Sequence, residues 1–274
     1  MQNNVKISFI GGGNMAAALI GGLAGKLTSA SNIHVVDIND EALLYLQQRY
    51  KVTIANQIDS AVANSTVIVL AVKPQQMREV LTELAPHIST QLVLSIAAGI
   101  CMKDLSRWLQ GHAAIVRTMP NTPALISQGI TGMVAMGGVS SSQREIAEAI
   151  MQAVGATVWL SDESQIDAVT AVSGSGPAYV FYFIEAMQQA AIELGLSAEQ
   201  ARQLSVATFV GASQLASQLP EPVSVLRERV TSKGGTTFAA LTSMDESGIG
   251  PAIVKAIKAA AARSKELGEE LGAD

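Results

Sequence analysis

Cysteine is almost absent from the 274-residue sequence: Cys101 stands alone, so no internal disulfide can form, and a reducing cytoplasm is the expected setting. Aromatic residues are scarce at 4% and charged residues at 15%, while 49% of the chain is hydrophobic. The apolar mass is therefore aliphatic, which suits helices packed on a parallel sheet and excludes a disordered chain. Basic charge is in deficit, with 18 Lys and Arg against 23 Asp and Glu. A sequence-blind nucleic-acid binder needs a basic face to neutralise phosphates, so no nucleic-acid partner is expected. The strongest apolar run, residues 67–72, is far too short to span a bilayer, so no membrane association is expected. No basic head precedes a long apolar stretch at the start, so no secretory leader is expected. The three histidines, His34, His87 and His112, are scattered without metal-ligand spacing, and no metal is expected.

What is present alternates between two hydrophobic periods. Short β-branched runs at residues 5–10, 33–36, 67–72, 92–96 and 114–116 are separated by segments with helical spacing at 15–23, 41–50, 75–84 and 102–109. Apolar strands alternating with amphipathic helices predict a doubly wound parallel sheet with helices on both faces. Residues 130–136 and 157–160 are expected to add strands around a helix at 143–154. After Ser161 the strand signal stops, and helices are expected at 175–194, 198–217, 223–230, 236–244 and 251–267. Small residues such as Ala190, Ala207, Gly211 and Ala216 mark faces where these helices can approach closely. The expected division is an α/β domain over 1–161 and an all-helical domain over 162–274.

The first strand runs straight into Gly11-Gly12-Gly13-Asn14-Met15-Ala16 and then an apolar helix. Gly11, Gly13 and Ala16 fill the three small-residue positions of a dinucleotide-binding turn. The first makes the tight turn, the second lets a pyrophosphate approach, and the third lets helix and strand pack closely. Free N–H groups and the helix dipole would then hold the phosphates. The second strand ends at Asp37, at the spacing of a carboxylate that binds an adenosine ribose; the competing reading is a contribution to the next helix cap. Ala71-Val72-Lys73-Pro74 follows another strand at its carboxyl end, where ligands bind in such sheets. Lys73 can approach a cofactor phosphate or ribose there, or simply be solvated before an ordinary N1 proline.

Three further segments join elements and are rich in Gly, Pro, Ser or Thr. They are Arg117-Thr118-Met119-Pro120-Asn121-Thr122-Pro123, Ser173-Gly174-Ser175-Gly176-Pro177-Ala178-Tyr179 and Thr231-Ser232-Lys233-Gly234-Gly235-Thr236-Thr237. Loops of this kind commonly carry function. With the glycine turn, and in this order and spacing, they resemble the signature of pyrroline-5-carboxylate reductases over essentially the whole chain. The resemblance implies an N-terminal Rossmann domain followed by an all-helical C-terminal dimerisation domain, hence self-association through the C-terminal helices. One departure stands out: the family usually has proline where Lys233 stands here.

The implied reaction is reduction of the cyclic imine L-1-pyrroline-5-carboxylate to L-proline with NADPH or NADH. A protonated imine is already electrophilic, so the protein must position the ring and exclude water more than supply a strong acid. By resemblance, Thr237 would hydrogen-bond the ring nitrogen, and the backbone of Gly234, Gly235 and Thr236 would bind the carboxylate. Ser175, Gly176 and Pro177 would form another wall, and Met119, Pro120 and Asn121 would lie near the nicotinamide. Gly11, Gly12, Gly13, Asn14, Met15, Asp37, Ala71, Val72 and Lys73 would hold the rest of the cofactor. A β-hydroxyacid dehydrogenase would need a lysine on the interdomain helix, yet none occurs between Lys103 and Lys233. A non-catalytic nucleotide sensor would have lost hydroxyls such as Ser175, Thr236 and Thr237, which are all present. A related Rossmann imine reductase and a non-catalytic nucleotide-binding sensor stand as the alternatives. The family often prefers NADPH, but Asp37, with no Lys or Arg over residues 38–48, predicts competent use of NADH.

Overall fold

The computed structural model describes residues 5–273. Eight strands form one sheet: β1 (Ile7–Ile10), β2 (Ile33–Val36), β3 (Thr53–Ala55), β4 (Val67–Leu70), β5 (Leu92–Ser95), β6 (Ile115–Met119), β7 (Gly129–Ala135) and β8 (Gly155–Trp159). Their order is β3-β2-β1-β4-β5-β6-β7-β8. Pairing is parallel from β3 through β6, with Phe9 opposite both Val35 and Val69. β7 departs from the parallel expectation by running antiparallel to β6. Only residues 120–128 separate the two strands, too few for a right-handed crossover. β8 returns parallel to β7 after a helical crossover.

Side-chain alternation along the central strands divides the core between the two faces of the sheet. Ile7, Phe9, Val67, Val69, Leu92 and Leu94 enter one apolar cluster, while Ile10, Ile68, Leu70 and Val93 enter the other. The first cluster is closed by Leu19 and Ile20 of α1 (Asn14–Leu23), Leu43 and Leu46 of α2 (Asp40–Tyr50) and Ile150 of α6 (Ser141–Gln152). The second is closed by α4 (Met77–Leu84), whose buried Met77, Leu81 and Leu84 recur at helical spacing, and by α5 (Met102–Trp108). A short α3 (Ser60–Ala63) lies between α2 and α4 in the chain. Two of these helices begin on side-chain caps: Asn39 accepts from Glu41 and Ala42 N–H at α2, and Ser140 and Gln143 form a capping box at α6.

By internal contacts the chain makes two compact units, one running to Ser175 and resumed from Ala260, the other Gly176–Ala259. In the first, α7 (Gln165–Val169) leads into a π-helical turn at Thr170–Gly174. The end of the last helix also belongs here: Ser264 donates to Asp167 Oδ1 at 2.7 Å, and Arg107 donates to the Gly272 carbonyl at 2.7 Å. The second unit contains α8 (Gly176–Glu193), α9 (Ala198–Gln218), α10 (Val223–Arg229), α11 (Thr236–Glu246) and the start of α12 (Ile249–Gly272). α8 packs on α9, but α8, α10 and α11 bury no residue among those described. Phe181, Tyr182, Leu194, Leu204, Val210 and Phe238 are exposed, more apolar surface than a soluble helical unit ordinarily leaves to water. No helix of the described residues is long and apolar enough to cross a membrane.

The first unit depends on close backbone approach at Gly22, where a Cβ would sit 2.5 Å from the Ala153 carbonyl oxygen. Gly22→Ala is therefore expected to force α1 away from the end of α6 at a cost of about 1–3 kcal/mol. Thermal denaturation should show a clearly lower midpoint for Gly22→Ala than for Gly137→Ala, because a Cβ at Gly137 meets open space. Equal midpoints would show that the helices relax without loss.

Candidate active site

The carboxyl ends of β1, β2, β3 and β4 surround a cleft of ≈ 470 Å³. Its walls are Ile10, Gly11 and Gly13 from the first turn, Asp37 and Ile38 after β2, Asn56 to Ile58 after β3, and Ala71 to Lys73 after β4. Gln76, Val80 and Glu83 close the side along α4. Gly11 donates to the Val36 carbonyl at 2.8 Å, and Ala71 donates to the Ile10 carbonyl at 2.8 Å. At Gly11 the backbone has φ +105°, and a Cβ would lie 2.6 Å from the Ala71 oxygen, so only glycine fits.

Gly13 caps α1 in an extended conformation, and a Cβ built on it meets nothing within 4 Å. This open space faces a helix whose first turn carries no acidic residue. The first-turn N–H groups of α1 have no intrahelical acceptors, so the turn is suited to an anion. Asn14 is exposed and Met15 half-buried against the core, while Ala16 is buried beneath the turn. Gly12 donates its N–H to Asp37 Oδ2 at 2.6 Å. Asp37 Oδ1 accepts from Asn39 N–H at 2.9 Å. Asp37 is thus held at the wall of the cleft, while the cap of α2 is formed by Asn39. Lys73 is exposed on the same cleft, just before the Pro74–Gln76 turn. Glycine cradle, open anion approach and ribose-ready carboxylate together fit a dinucleotide.

A second cluster forms where β6 ends. Arg117 is buried and donates to Glu163 Oε1 at 2.8 Å, and the same oxygen accepts from Met102 N–H at the start of α5. Thr118 donates to the Ser95 carbonyl at 2.9 Å. Asn121 donates to the Ser173 carbonyl at 3.1 Å and accepts from Ile130 N–H at 3.0 Å. Three side chains therefore anchor this segment, and Asn121 spends its amide in doing so. Half-buried Met119 reaches the turn before α8, where its Cε would lie 2.6 Å from a Cβ on Gly174, and Pro120 is buried beside it. Ser175 donates its N–H to the Thr170 carbonyl at 2.8 Å, and Gly176 and Pro177 open α8.

In the second unit, Gly235 caps α11 and donates to the Ser232 carbonyl at 3.0 Å. Gly234 precedes it in a left-handed conformation, and Thr236 and Thr237 form the first turn, again without an acidic residue. Thr237 is half-buried; Thr236 and Lys233 are exposed.

Sequence reasoning had not singled out Asn56, Gln57, Ile58, Gln76, Val80 or Glu83. The first three follow β3, a strand of three residues and too short to register as an apolar run. Among the described residues no cluster of His, Cys, Asp and Glu could hold a metal ion. Burial pushes the Cys101 thiol up from its ordinary value; the Arg117 guanidinium opposes this, while the Glu163 and Asp104 carboxylates reinforce it. Alkylation by iodoacetamide should therefore run slower than for free cysteine, with a pH midpoint above that of the free thiol. A midpoint below it would mark Cys101 as an activated thiol.

The sequence model described as "Pyrroline-5-carboxylate reductase dimerisation" matches residues 163–267, and the one described as "NADP oxidoreductase coenzyme F420-dependent" matches residues 6–99. The chain is 46% identical to a pyrroline-5-carboxylate reductase of Pseudomonas aeruginosa, over 97% of this chain and 98% of that one. A solved pyrroline-5-carboxylate reductase from Coxiella burnetii superposes with a TM-score of 0.91 at 40% identity, covering 97% of this chain and 99% of the other. A pyrroline carboxylate reductase from Plasmodium falciparum, solved with NADP bound, gives 0.87 at 28% identity, covering 98% of this chain and all of the other.

Proposed function

We propose, from the premise that this chain belongs to the pyrroline-5-carboxylate reductase family, that it reduces L-1-pyrroline-5-carboxylate to L-proline with NADPH or NADH. The observation that carries the reading is the near-complete match to relatives of that name in a chain that keeps both the nucleotide cleft and the G-G-T-T turn. A bound nicotinamide dinucleotide supplies the hydride. In this reading the N–H groups opening α1 hold the pyrophosphate, and Asp37 accepts a hydrogen bond from the adenosine ribose. Ala71, Val72 and Lys73 line the path between ribose and phosphates, while Met119, Pro120 and Asn121 bound the nicotinamide end. The N–H groups at Gly234 and Thr236 bind the substrate carboxylate, favoured by the positive end of α11, while Gly235, whose N–H is held by the Ser232 carbonyl, fixes the turn. Ser175, Gly176 and Pro177 shape the remaining wall.

The protonated imine nitrogen donates to the Thr237 hydroxyl, which holds the electrophilic carbon in place. Little else is required, because the positive charge is already on the substrate. That accounts for a proposed substrate site built from hydroxyls and backbone rather than from carboxylates and histidines. We assign nucleotide binding to residues 1–161, and substrate binding with dimerisation to residues 162–274. The single cysteine is in keeping with a cytoplasmic location.

Nicotinamide absorbance should fall when the imine is added, with proline appearing in equal amount; no consumption with either nucleotide would overturn the reading. Thr237→Ala should leave nucleotide binding nearly intact and lower kcat/KM about ten- to a hundredfold, as expected for losing a hydrogen bond to a charged group. Unchanged kinetics would remove Thr237 from the site. The exposed apolar faces of α8 to α11 require cover, and a second copy of the same helices supplies it. Sedimentation should therefore show a dimer or a multiple of it, and a monodisperse monomer at micromolar concentration would contradict self-association.

A further inference from the structure

The adenosine end of the cleft combines an immobilised carboxylate with a nearly complete lack of cations. Both Asp37 oxygens accept backbone N–H groups, from Gly12 at 2.6 Å and from Asn39 at 2.9 Å. The side chain cannot turn away without leaving those donors unpaired, yet each oxygen keeps acceptor capacity for a ribose hydroxyl. The start of α2 offers no anion site: Asn39 Oδ1 already caps it, and Asp40 and Glu41 occupy its first turn. Glu83 adds a second carboxylate to the cleft wall, and Lys73 is the cleft's one cation among the described residues. Arg49, at the far end of α2, is occupied by Tyr50 Oη at 3.1 Å and lies over the Tyr45 and Tyr50 rings.

Resting on the reading of this cleft as the nucleotide site, the geometry points to selection of NADH over NADPH, with Asp37 as the specificity-determining residue and Glu83 reinforcing it. A ribose with free hydroxyls donates to the fixed Asp37 carboxylate. A 2′-phosphate brings about two negative charges to the same place, where the Gly12 and Asn39 N–H groups are already spent on Asp37 and the adjacent carboxylate is of the same sign. The repulsion lies near solvent, so it is moderate in size and is screened by salt.

The test is calorimetric or fluorescence titration of the intact protein with NADH and NADPH at low and high ionic strength, repeated with ADP-ribose and its 2′-phosphate. NADH should bind about tenfold or more tightly than NADPH, the adenosine halves should show the same order, and the ratio should narrow as salt screens the repulsion. Asp37→Ser should narrow the ratio about tenfold, and Glu83→Gln about two- to threefold, chiefly through tighter NADPH binding. Should Asp37→Ser fail to fold, Glu83→Gln and the salt series on the unaltered protein decide the matter. NADPH binding as tight as NADH, or a ratio indifferent to salt and to Glu83→Gln, overturns the inference while leaving the reductase reading intact. Binding of neither nucleotide overturns both.

Discussion

The contact on which the rest of the molecule depends is the passage of the Gly11 backbone against Ala71. A side chain at residue 11 would collide with the Ala71 carbonyl, and the φ of +105° admits glycine with little strain. This approach lets β1 end between β2 and β4 with the chain turning immediately into α1. The connections from β1 and β4 then leave towards opposite faces of the sheet, and the cleft opens where they part. Every polar group assigned to the nucleotide stands at the carboxyl end of a strand, or one turn beyond it, because that is where the two layers of helices diverge.

The same economy governs charge. Around the end of β6, charged and polar side chains are consumed in holding loops. Arg117 is tied to Glu163, which also caps α5 through Met102, and Asn121 bridges β7 and the turn before α8. The groups proposed to meet the substrate are backbone N–H, hydroxyl and apolar surface. Such a site suits a substrate that arrives already protonated and needs orientation and dryness more than acid–base help. The buried Arg117–Glu163 pair is costly to desolvate, and its value lies in fixing the geometry of the segment between β6 and α8.

Much of this was legible in the sequence, for physical reasons that differ from place to place. The glycine turn could be read because its small residues answer steric demands that few other sequences meet. The central strands could be read because burial on both faces leaves runs such as Val67 to Leu70 with no polar residue. β3 could not: Thr53 is exposed, the strand has three residues, and its sheet position comes from pairing with β2. With it went Asn56 and Gln57. The direction of β7 is not carried by side-chain alternation, which is the same either way, and follows instead from the short link after β6. The role of the Asn121 amide also lay beyond sequence reading, because its partners Ser173 and Ile130 are distant in the chain or across a turn. Both readings of Asp37 persist in the structure, since its Oδ1 accepts from Asn39 N–H at the entry to α2 while the side chain lines the cleft.

The reaction proposed for this chain is transfer of a hydride to the carbon of a cyclic imine. Deuterium tracing tests it most directly: the protein is incubated with L-1-pyrroline-5-carboxylate and a nicotinamide dinucleotide deuterated at the transferable position, and the product is analysed by mass spectrometry and NMR. Proline should carry a single deuterium on the ring carbon that was doubly bonded to nitrogen. Unlabelled proline, or no proline with either nucleotide, would contradict it.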